Sequence, residues 1–375
     1  MPTADELLGH AAVAALADCL DTAGAARMAA AVRDALPALD GLALRERSDL
    51  VRDAMLASGP PEAAALEAVV RSALPDPRFT GWMIWPVTEA VAVLASGPAA
   101  GTAFEDGLHL LADLTPRLTA EFALRRMLNA DLDRALAVVS GWTAHPDEHV
   151  RRLASEGTRP RLPWAVRVPA ILAWPEATLP ILDALYQDPS EYVRRSVANH
   201  VNDISHARVD LAVETARRWT AAPDAHTPRL VRHALRTAVK QGDRGALALL
   251  GFGPATELTV EGPSVPRPVV AVGGELRFAF TLENHGDTPL RLVVDYVVHY
   301  RKANGATSPK VYKLTTRTLR PGERSEHTGT RSFKPISTRV FHLGEHILEL
   351  QVNGEPRGKV RFDVVSDDPR TGSDA

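Results

Sequence analysis

Residues 187–198 read Gln-Asp-Pro-Ser-Glu-Tyr-Val-Arg-Arg-Ser-Val-Ala, and the related run His-Pro-Asp-Glu-His-Val-Arg-Arg-Leu-Ala occupies residues 145–154. The two runs align when Val150 is placed on Val193, a spacing of 43 residues, and a weaker copy follows at Val231, 38 residues later. A period of roughly 40–47 residues is typical of HEAT-type repeats, in which each repeat is a pair of α-helices. Proline suits the start of the second helix, because it lacks a backbone N–H and an N–H group in the first turn has no partner within the helix anyway. The chain is therefore predicted to contain an α-solenoid.

Further segments are rich in alanine and leucine and show helical spacing of their apolar residues, which recur every three or four positions. The first helices of the repeats are predicted at residues 132–142, 179–187 and 209–219, and earlier helices at 5–20, 27–36, 42–57, 62–73, 87–96, 104–113 and 118–128. Together these segments predict a HEAT-like helical repeat domain over residues 1–253.

The pattern changes after residues 251–254, Gly-Phe-Gly-Pro. Within 276–282, Leu, Phe, Phe and Leu alternate with other residues, and this period of two is typical of β-strands. Asn353-Gly354 is the strongest short signal for a two-residue hairpin turn. Several short strands predict an immunoglobulin-like β-sandwich over residues 254–365, without the disulfide of antibody domains. The acidic, Gly- and Ser-bearing tail at 366–375 is predicted to be disordered. The predicted fold class is multidomain α + β, an α-solenoid followed by a β-sandwich.

Composition restricts the class of protein. At 375 residues the chain exceeds what one core usually supports, so two or three domains are expected. No run of about eighteen apolar residues predicts a membrane-spanning helix. Cys19 is the only cysteine, which excludes an internal disulfide and a cysteine-based metal site and fits a reducing compartment. We expect a cytoplasmic, nucleoid-associated monomer.

The net charge of −3 conceals two basic blocks. Residues 1–149 carry a net charge of −10, residues 150–240 one of +5, and residues 290–340 one of +8. Arginine supplies 37 of the 43 cations, and its planar fork favours bidentate contact with phosphate. The asymmetry predicts a basic face that suits nucleic acid.

Residues 150–164 read Val-Arg-Arg-Leu-Ala-Ser-Glu-Gly-Thr-Arg-Pro-Arg-Leu-Pro-Trp and place one acid, Glu156, among several cations and an aromatic ring. Arg152 and Glu156 are one helical turn apart, as are Asn199 and Asp203 in the next copy. A carboxylate fixed in a basic groove stabilises positive charge that develops in a reaction. The alternative interpretation is that these acids are ordinary ion-pair partners of the arginines.

This run, together with the repeats and the C-terminal strand domain, resembles the AlkC-type DNA alkylation-repair glycosylases over most of residues 75–365. That family shares its HEAT-like scaffold with the AlkD-type enzymes and removes N-alkylated bases from DNA without swinging the base into a deep pocket. The resemblance implies that Glu121, Glu156 and Asp203 line the lesion site. Residues 1–75 match the family little, so their role is left open.

A second set of residues is predicted to contact double-stranded DNA, because cations on successive repeats would follow a phosphate backbone. The set comprises Arg152, Arg159, Arg161, Trp164, Arg195, His200, Arg232 and Lys240 in the helical domain, and Lys334, Thr338 and Arg339 in a basic loop of the sandwich. The alternative is that the arginines pair with acids of neighbouring repeats and that Trp164 plugs the core. The tryptophans at 82, 85, 142, 174 and 219 are expected to be core residues.

The expected activity is that of a monofunctional DNA glycosylase in base excision repair, which excises N3-methyladenine, or N3-methylcytosine, and leaves an abasic site. Such a base is already cationic and leaves as a neutral molecule, so carboxylates need only stabilise an oxocarbenium-like sugar and orient water. No metal or cofactor is expected, because Pro146 places His145 outside the helix of His149 and no third ligand accompanies them. The alternatives are a non-catalytic HEAT-repeat adaptor that binds DNA or protein, and a protein-binding scaffold.

Overall fold

The structure, a computed structural model, describes residues 2–97, 101–335 and 340–366. Helices occupy the first two thirds of the described chain and strands the last third, which is the predicted fold class. The backbone contacts divide the chain into two compact units, residues 1–204 with 219–234 and residues 205–218 with 235–375. The tail predicted to be disordered lies outside the described residues apart from Ser366. No helix in the described ranges is long and apolar enough to cross a membrane.

Most helices begin and end close to the predicted positions, but the helix predicted over residues 5–20 is divided at Gly9 into two. They are α1 (Ala4–Leu8), α2 (His10–Thr22), α3 (Ala26–Asp34), α4 (Leu44–Ser58), α5 (Ala63–Ala73), α6 (Ile84–Ala95), α7 (Ala103–Leu114), α8 (Glu121–Ala130), α9 (Leu132–Gly141), α10 (Glu148–Gly157), α11 (Pro169–Ala173), α12 (Leu179–Leu185), α13 (Glu191–Ile204), α14 (Val209–Ala221), α15 (Thr227–Ala234), α16 (Arg236–Lys240) and α17 (Arg244–Leu249). The weaker copy of the motif at Val231 lies in two short helices, because α15 ends at Ala234 and α16 begins at Arg236.

The first compact unit contains two rows of helices. In one row α4, α6, α8, α10, α13 and α15 each contact the next, and in the other α5, α7, α9 and α12 do so. The first row contains the second helices of the repeats, as the repeated Val-Arg-Arg motif predicts. Residues at corresponding places in successive helices of this row therefore lie side by side.

The close approach of α8 and α10 depends on a glycine. Asp147 caps α10 by accepting a hydrogen bond from the backbone N–H of His149 at 2.7 Å, and the helix ends at Gly157. A Cβ atom at Gly157 would lie 2.4 Å from a methyl carbon of Leu124 on α8. Because a side chain there would force Leu124 to shift, Gly157 allows the end of α10 to approach α8 closely.

Eight strands follow, within the second compact unit. They are β1 (Leu258–Ser264), β2 (Val269–Ala271), β3 (Glu275–Asn284), β4 (Leu290–Arg301), β5 (Thr307–Leu319), β6 (Arg324–Ser332), β7 (Gly344–Val352) and β8 (Glu355–Val365). One sheet has the order β1-β3-β6 and the other β2-β8-β7-β4-β5. All described pairs are antiparallel except β2 with β8.

The core of the strand domain contains the apolar residues that alternate along its strands, among them Phe278, Tyr296 and Phe362. The predicted hairpin at Asn353-Gly354 is confirmed, since both residues adopt positive φ, 47° and 78°, as a type I′ turn requires. The Asn353 side chain also donates a hydrogen bond to the carbonyl oxygen of Gly253 at 2.8 Å.

Gly329 on β6 is expected to tolerate no side chain. It pairs with Phe278 on β3, and a Cβ atom there would lie 2.2 Å from the Phe278 ring. Overpacking of a filled core costs about 1–3 kcal/mol, so Gly329→Ala should lower the free energy of unfolding by that amount in a urea titration. Gly253→Ala, where the added methyl has no neighbour within 4 Å, is the matched control. Equal stability of the two variants would contradict this packing.

Candidate active site

Three carboxylates and two guanidinium groups form a continuous chain across α8, α10 and α13. Glu121 Oε2 lies 2.5 Å from Arg152 Nη1, and Arg152 Nη2 lies 3.4 Å from Glu156 Oε1. The same Glu156 oxygen accepts a hydrogen bond from Arg159 Nη1 at 2.6 Å. Arg159 then binds Asp203 through two nitrogens, at 2.9 and 3.2 Å. The three acids that the sequence predicts as catalytic are thus brought together.

Neutral groups fix the orientation of each carboxylate. Ser196 on α13 donates a hydrogen bond to the second oxygen of Glu156 at 2.7 Å, and Thr119 donates to Glu121 at 2.9 Å. The backbone N–H of Arg161 donates to Asp203 at 3.2 Å. Because every acid is held by at least two donors, little reorientation is needed when a positive charge approaches.

Arg159 stays charged although it is buried in this cluster. Burial by itself would lower the pKa of Arg159, but its hydrogen bond and charge interactions with Asp203 and Glu156 outweigh burial and raise that pKa above the ordinary value. The two guanidinium groups are thus shared among three acidic side chains, and the buried Arg125 also interacts with the charges of Asp203 and Glu121.

Arg125, four residues after Glu121 on α8, is a residue that sequence reasoning missed. It is fully buried and donates hydrogen bonds to the backbone oxygens of Gly157, Arg159 and Val166 at 3.0, 2.6 and 2.9 Å. Burial lowers its pKa to about 10, so it stays charged at neutral pH. It closes the carboxyl end of α10, where a cation is favoured. Its spacing from Glu121 was the only signal in the sequence.

The segment between α10 and α11 presents Trp164. This residue has a positive φ of 60° and is 76% exposed, so the alternative that it plugs the core is wrong. Arg161 in the same segment is also exposed, while its backbone N–H contacts Asp203. An exposed ring and an exposed cation thus lie on a segment that is bonded to the acidic cluster.

The other residues predicted to bind DNA are dispersed. Arg195 is exposed and forms an ion pair with Glu191 at 3.2 Å, and Arg152 is paired as described above. Exposed side chains are also found at Arg232, Lys240 and Lys334. Thr338 and Arg339 lie outside the described residues. Contact of these residues with DNA stays a prediction.

Three expectations need correction. His200 is fully buried, its Nδ1 donating to the carbonyl oxygen of Ser155 at 2.9 Å, so it is a structural residue and not a DNA ligand. Arg159 is buried with its donors directed at two acids, so it organises the carboxylates and does not present a free guanidinium to phosphate. Trp174 is 60% exposed and is not a core residue.

The cluster offers no set of metal ligands. Among the described residues, no group of three or more His, Cys, Asp or Glu side chains is placed to hold a metal ion. Each acid of the cluster faces a guanidinium group instead, and two like cations at that distance would repel a metal ion.

The chain resembles known proteins in sequence and in structure. Residues 259–366 match the family model described as "Uncharacterised protein YhaZ, C-terminal Ig-like domain". YhaZ of Bacillus subtilis (strain 168) is 38% identical over 261 residues, which are 70% of this chain and 72% of that protein. The alkylpurine DNA glycosylase AlkC of Pseudomonas fluorescens, solved bound to DNA containing an abasic site analogue, superimposes with a TM-score of 0.86. That alignment has 32% identity and covers 97% of this chain and 100% of AlkC.

The fold and the cluster define a helical-repeat protein of the AlkC type with a C-terminal immunoglobulin-like domain. At this identity and coverage the chain belongs to the AlkC family, together with its YhaZ relative.

The burial of His200 predicts a pH dependence of stability. Desolvation lowers its pKa to about 3, whereas the unfolded chain binds a proton with a pKa near about 6.5. Between these values the unfolded state holds more protons, so stability is lost as the pH falls below about 6.5, by about 2 kcal/mol at pH 5. The difference in unfolding free energy between the wild type and His200→Gln should shrink accordingly from pH 7 to pH 5, measured by urea titration. The exposed His206→Gln is the control, and a pH-independent difference would contradict the assignment.

Proposed function

We propose that the protein is a DNA glycosylase that removes cationic, N-alkylated bases from duplex DNA. The observation that carries this proposal is the acidic cluster. Its three acids, Glu121, Glu156 and Asp203, lie on three neighbouring helices and are held in place by two arginines. Membership of the AlkC family supports the same activity, because the Pseudomonas fluorescens relative is an alkylpurine DNA glycosylase.

The proposed mechanism uses the negative charges of the carboxylates. An N3-alkylated purine or pyrimidine carries a positive charge and leaves as a neutral base, so no general acid is required. As the glycosidic bond breaks, positive charge develops on the deoxyribose. Glu156 and Asp203, held by Arg159, stabilise this charge, and one of them orients the attacking water. Glu121 completes the cluster on the side of α8.

The proposed substrates are N3-methyladenine and N3-methylcytosine in duplex DNA, and the product is an intact strand with an abasic site. Trp164 and Arg161 are proposed to contact the duplex beside the lesion, and Lys334 to contact it from the strand domain. The carboxylates act on the sugar, so the base is proposed to remain largely stacked. Bases with bulky N3 substituents should then be released at rates similar to those of N3-methylated bases, because no pocket has to enclose the base.

The test is the release of free base from a methylated duplex oligonucleotide, measured by mass spectrometry with purified protein. Loss of one pre-organised electrostatic interaction typically lowers a rate by about 10²- to 10³-fold. The rate of base release should therefore fall by that factor in Glu156→Gln and in Asp203→Asn. Their affinity for a duplex with an abasic-site analogue should change far less. Glu148→Gln, an exposed acid on the same helix as Glu156, should retain the rate of the wild type.

Three outcomes are distinguishable in that assay. Unchanged base release by folded Glu156→Gln and Asp203→Asn would show that the carboxylates are not catalytic. Duplex binding by the wild type without base release would favour a non-catalytic adaptor. Strand cleavage without alkali treatment would contradict the monofunctional assignment.

A further inference from the structure

Arg45 on α4 connects the N-terminal helices to the exposed tryptophan. Its Nη2 donates a hydrogen bond to the backbone oxygen of Trp164 at 3.2 Å, across 119 residues of sequence. Both residues belong to the same compact unit. The first 75 residues, to which the sequence assigned no role, therefore contribute a side chain to the segment that presents Trp164.

The guanidinium group of Arg45 is itself held in place. It lies over the ring of Trp85 on α6 at 5.0 Å and over the ring of Phe122 on α8 at 5.8 Å. Its Nη1 is 3.8 Å from the buried carboxylate of Glu89, which also accepts a hydrogen bond from Trp85 Nε1 at 3.3 Å. Aromatic faces and a buried acid both attract a cation. Arg45 is thus a fixed donor and not a mobile surface arginine.

The Trp164 segment requires such donors. Residues 158–168 lie outside any helix or strand, and Trp164 adopts a positive φ that side-chain-bearing residues rarely tolerate. Its backbone oxygens are bound by side chains of neighbouring helices. Arg125 donates to Val166 at 2.9 Å, Asn129 to Arg167 at 3.0 Å, and Arg45 to Trp164 itself.

We propose that Arg45 is a positioning residue, which holds Trp164 in its exposed conformation before DNA arrives. The inference rests on the proposed function, because it gives Trp164 a duplex to contact. A loop that is already ordered loses less conformational freedom on binding, so affinity rises without any new contact. The N-terminal helices then take part in lesion binding through Trp164 and not through a surface of their own.

The competing explanation is direct contact of Arg45 with phosphate, since its side chain is 39% exposed. The two explanations differ in how Arg45 and Trp164 combine. A positioning residue acts only through Trp164, whereas a phosphate ligand acts independently of it. Loss of a phosphate contact also reduces the slope of log K against log salt by about one.

The experiment measures affinity for a duplex that contains an abasic-site analogue, over a range of salt concentrations. Arg45→Ala and Trp164→Ala should each weaken binding about tenfold, and the double variant should bind no more weakly than Trp164→Ala alone. The salt slope should stay unchanged in Arg45→Ala. Arg27→Ala, an exposed arginine of the same N-terminal region, should bind like the wild type.

A second measurement keeps the inference testable without DNA. Hydrogen exchange in the peptide spanning 158–168 should be faster in Arg45→Ala than in the wild type, and intermediate in Arg45→Lys, which keeps the charge but not the planar fork. If Arg45→Ala does not fold, Arg45→Lys alone should show the faster exchange in this peptide.

Additive losses in the double variant, a reduced salt slope, or exchange equal to the wild type would each overturn the role of Arg45. Absence of base release from methylated duplex by the wild type would instead overturn the proposed function, while exchange still reports on Arg45.

Discussion

The ion pairs of Arg159 with Glu156 and Asp203 are the interaction on which the rest of the site depends. Burying an unpaired ion costs on the order of several kcal/mol, and Arg159 offsets this cost for Asp203 and, together with Arg152, for Glu156. Its bidentate bond to Asp203 joins the segment after α10 to α13, and its bond to Glu156 ties that segment to the last turn of α10. One guanidinium group therefore sets both the distance between two carboxylates and their orientation.

Arg152 extends the same principle to α8. It bridges Glu121 and Glu156, and its guanidinium group lies over the ring of Tyr192 at 5.1 Å. Exposed ion pairs often contribute little to stability. Here the ion pairs are largely buried, and each arginine is shared between two acids. The alternation of charges places a guanidinium group between successive carboxylates, which reduces their mutual repulsion. An electrostatic site that is ordered before substrate binds follows from this arrangement.

The helical repeat makes such a site possible. Because α8, α10 and α13 are successive members of one row, an acid at the start of α8 and acids near the ends of α10 and α13 are linked by two arginines. Gly157 lets α8 and α10 approach closely, and Arg125 binds the carboxyl end of α10 together with the following segment. The segment that presents Trp164 is thereby tied to the helices that carry the acids. The acids and the exposed ring of Trp164 are therefore joined through the backbone of residues 157–168.

The sequence alone determined most helix positions, the strand domain and the Asn353-Gly354 turn, because these depend on local periodicity and turn geometry, whereas the resemblance to a known family pointed to the three acids. The sequence did not determine which cations face solvent. Arg159 and Arg161 are two residues apart, yet one is buried between acids and the other is exposed. The sequence also did not show that His200 is buried and Trp174 exposed, because burial is decided only when the repeats stack. Nor did it show the contact of Arg45 with Trp164, which spans 119 residues of sequence. Tertiary packing decides which side chains lose water, and that loss decides whether an arginine positions a carboxylate or meets a ligand.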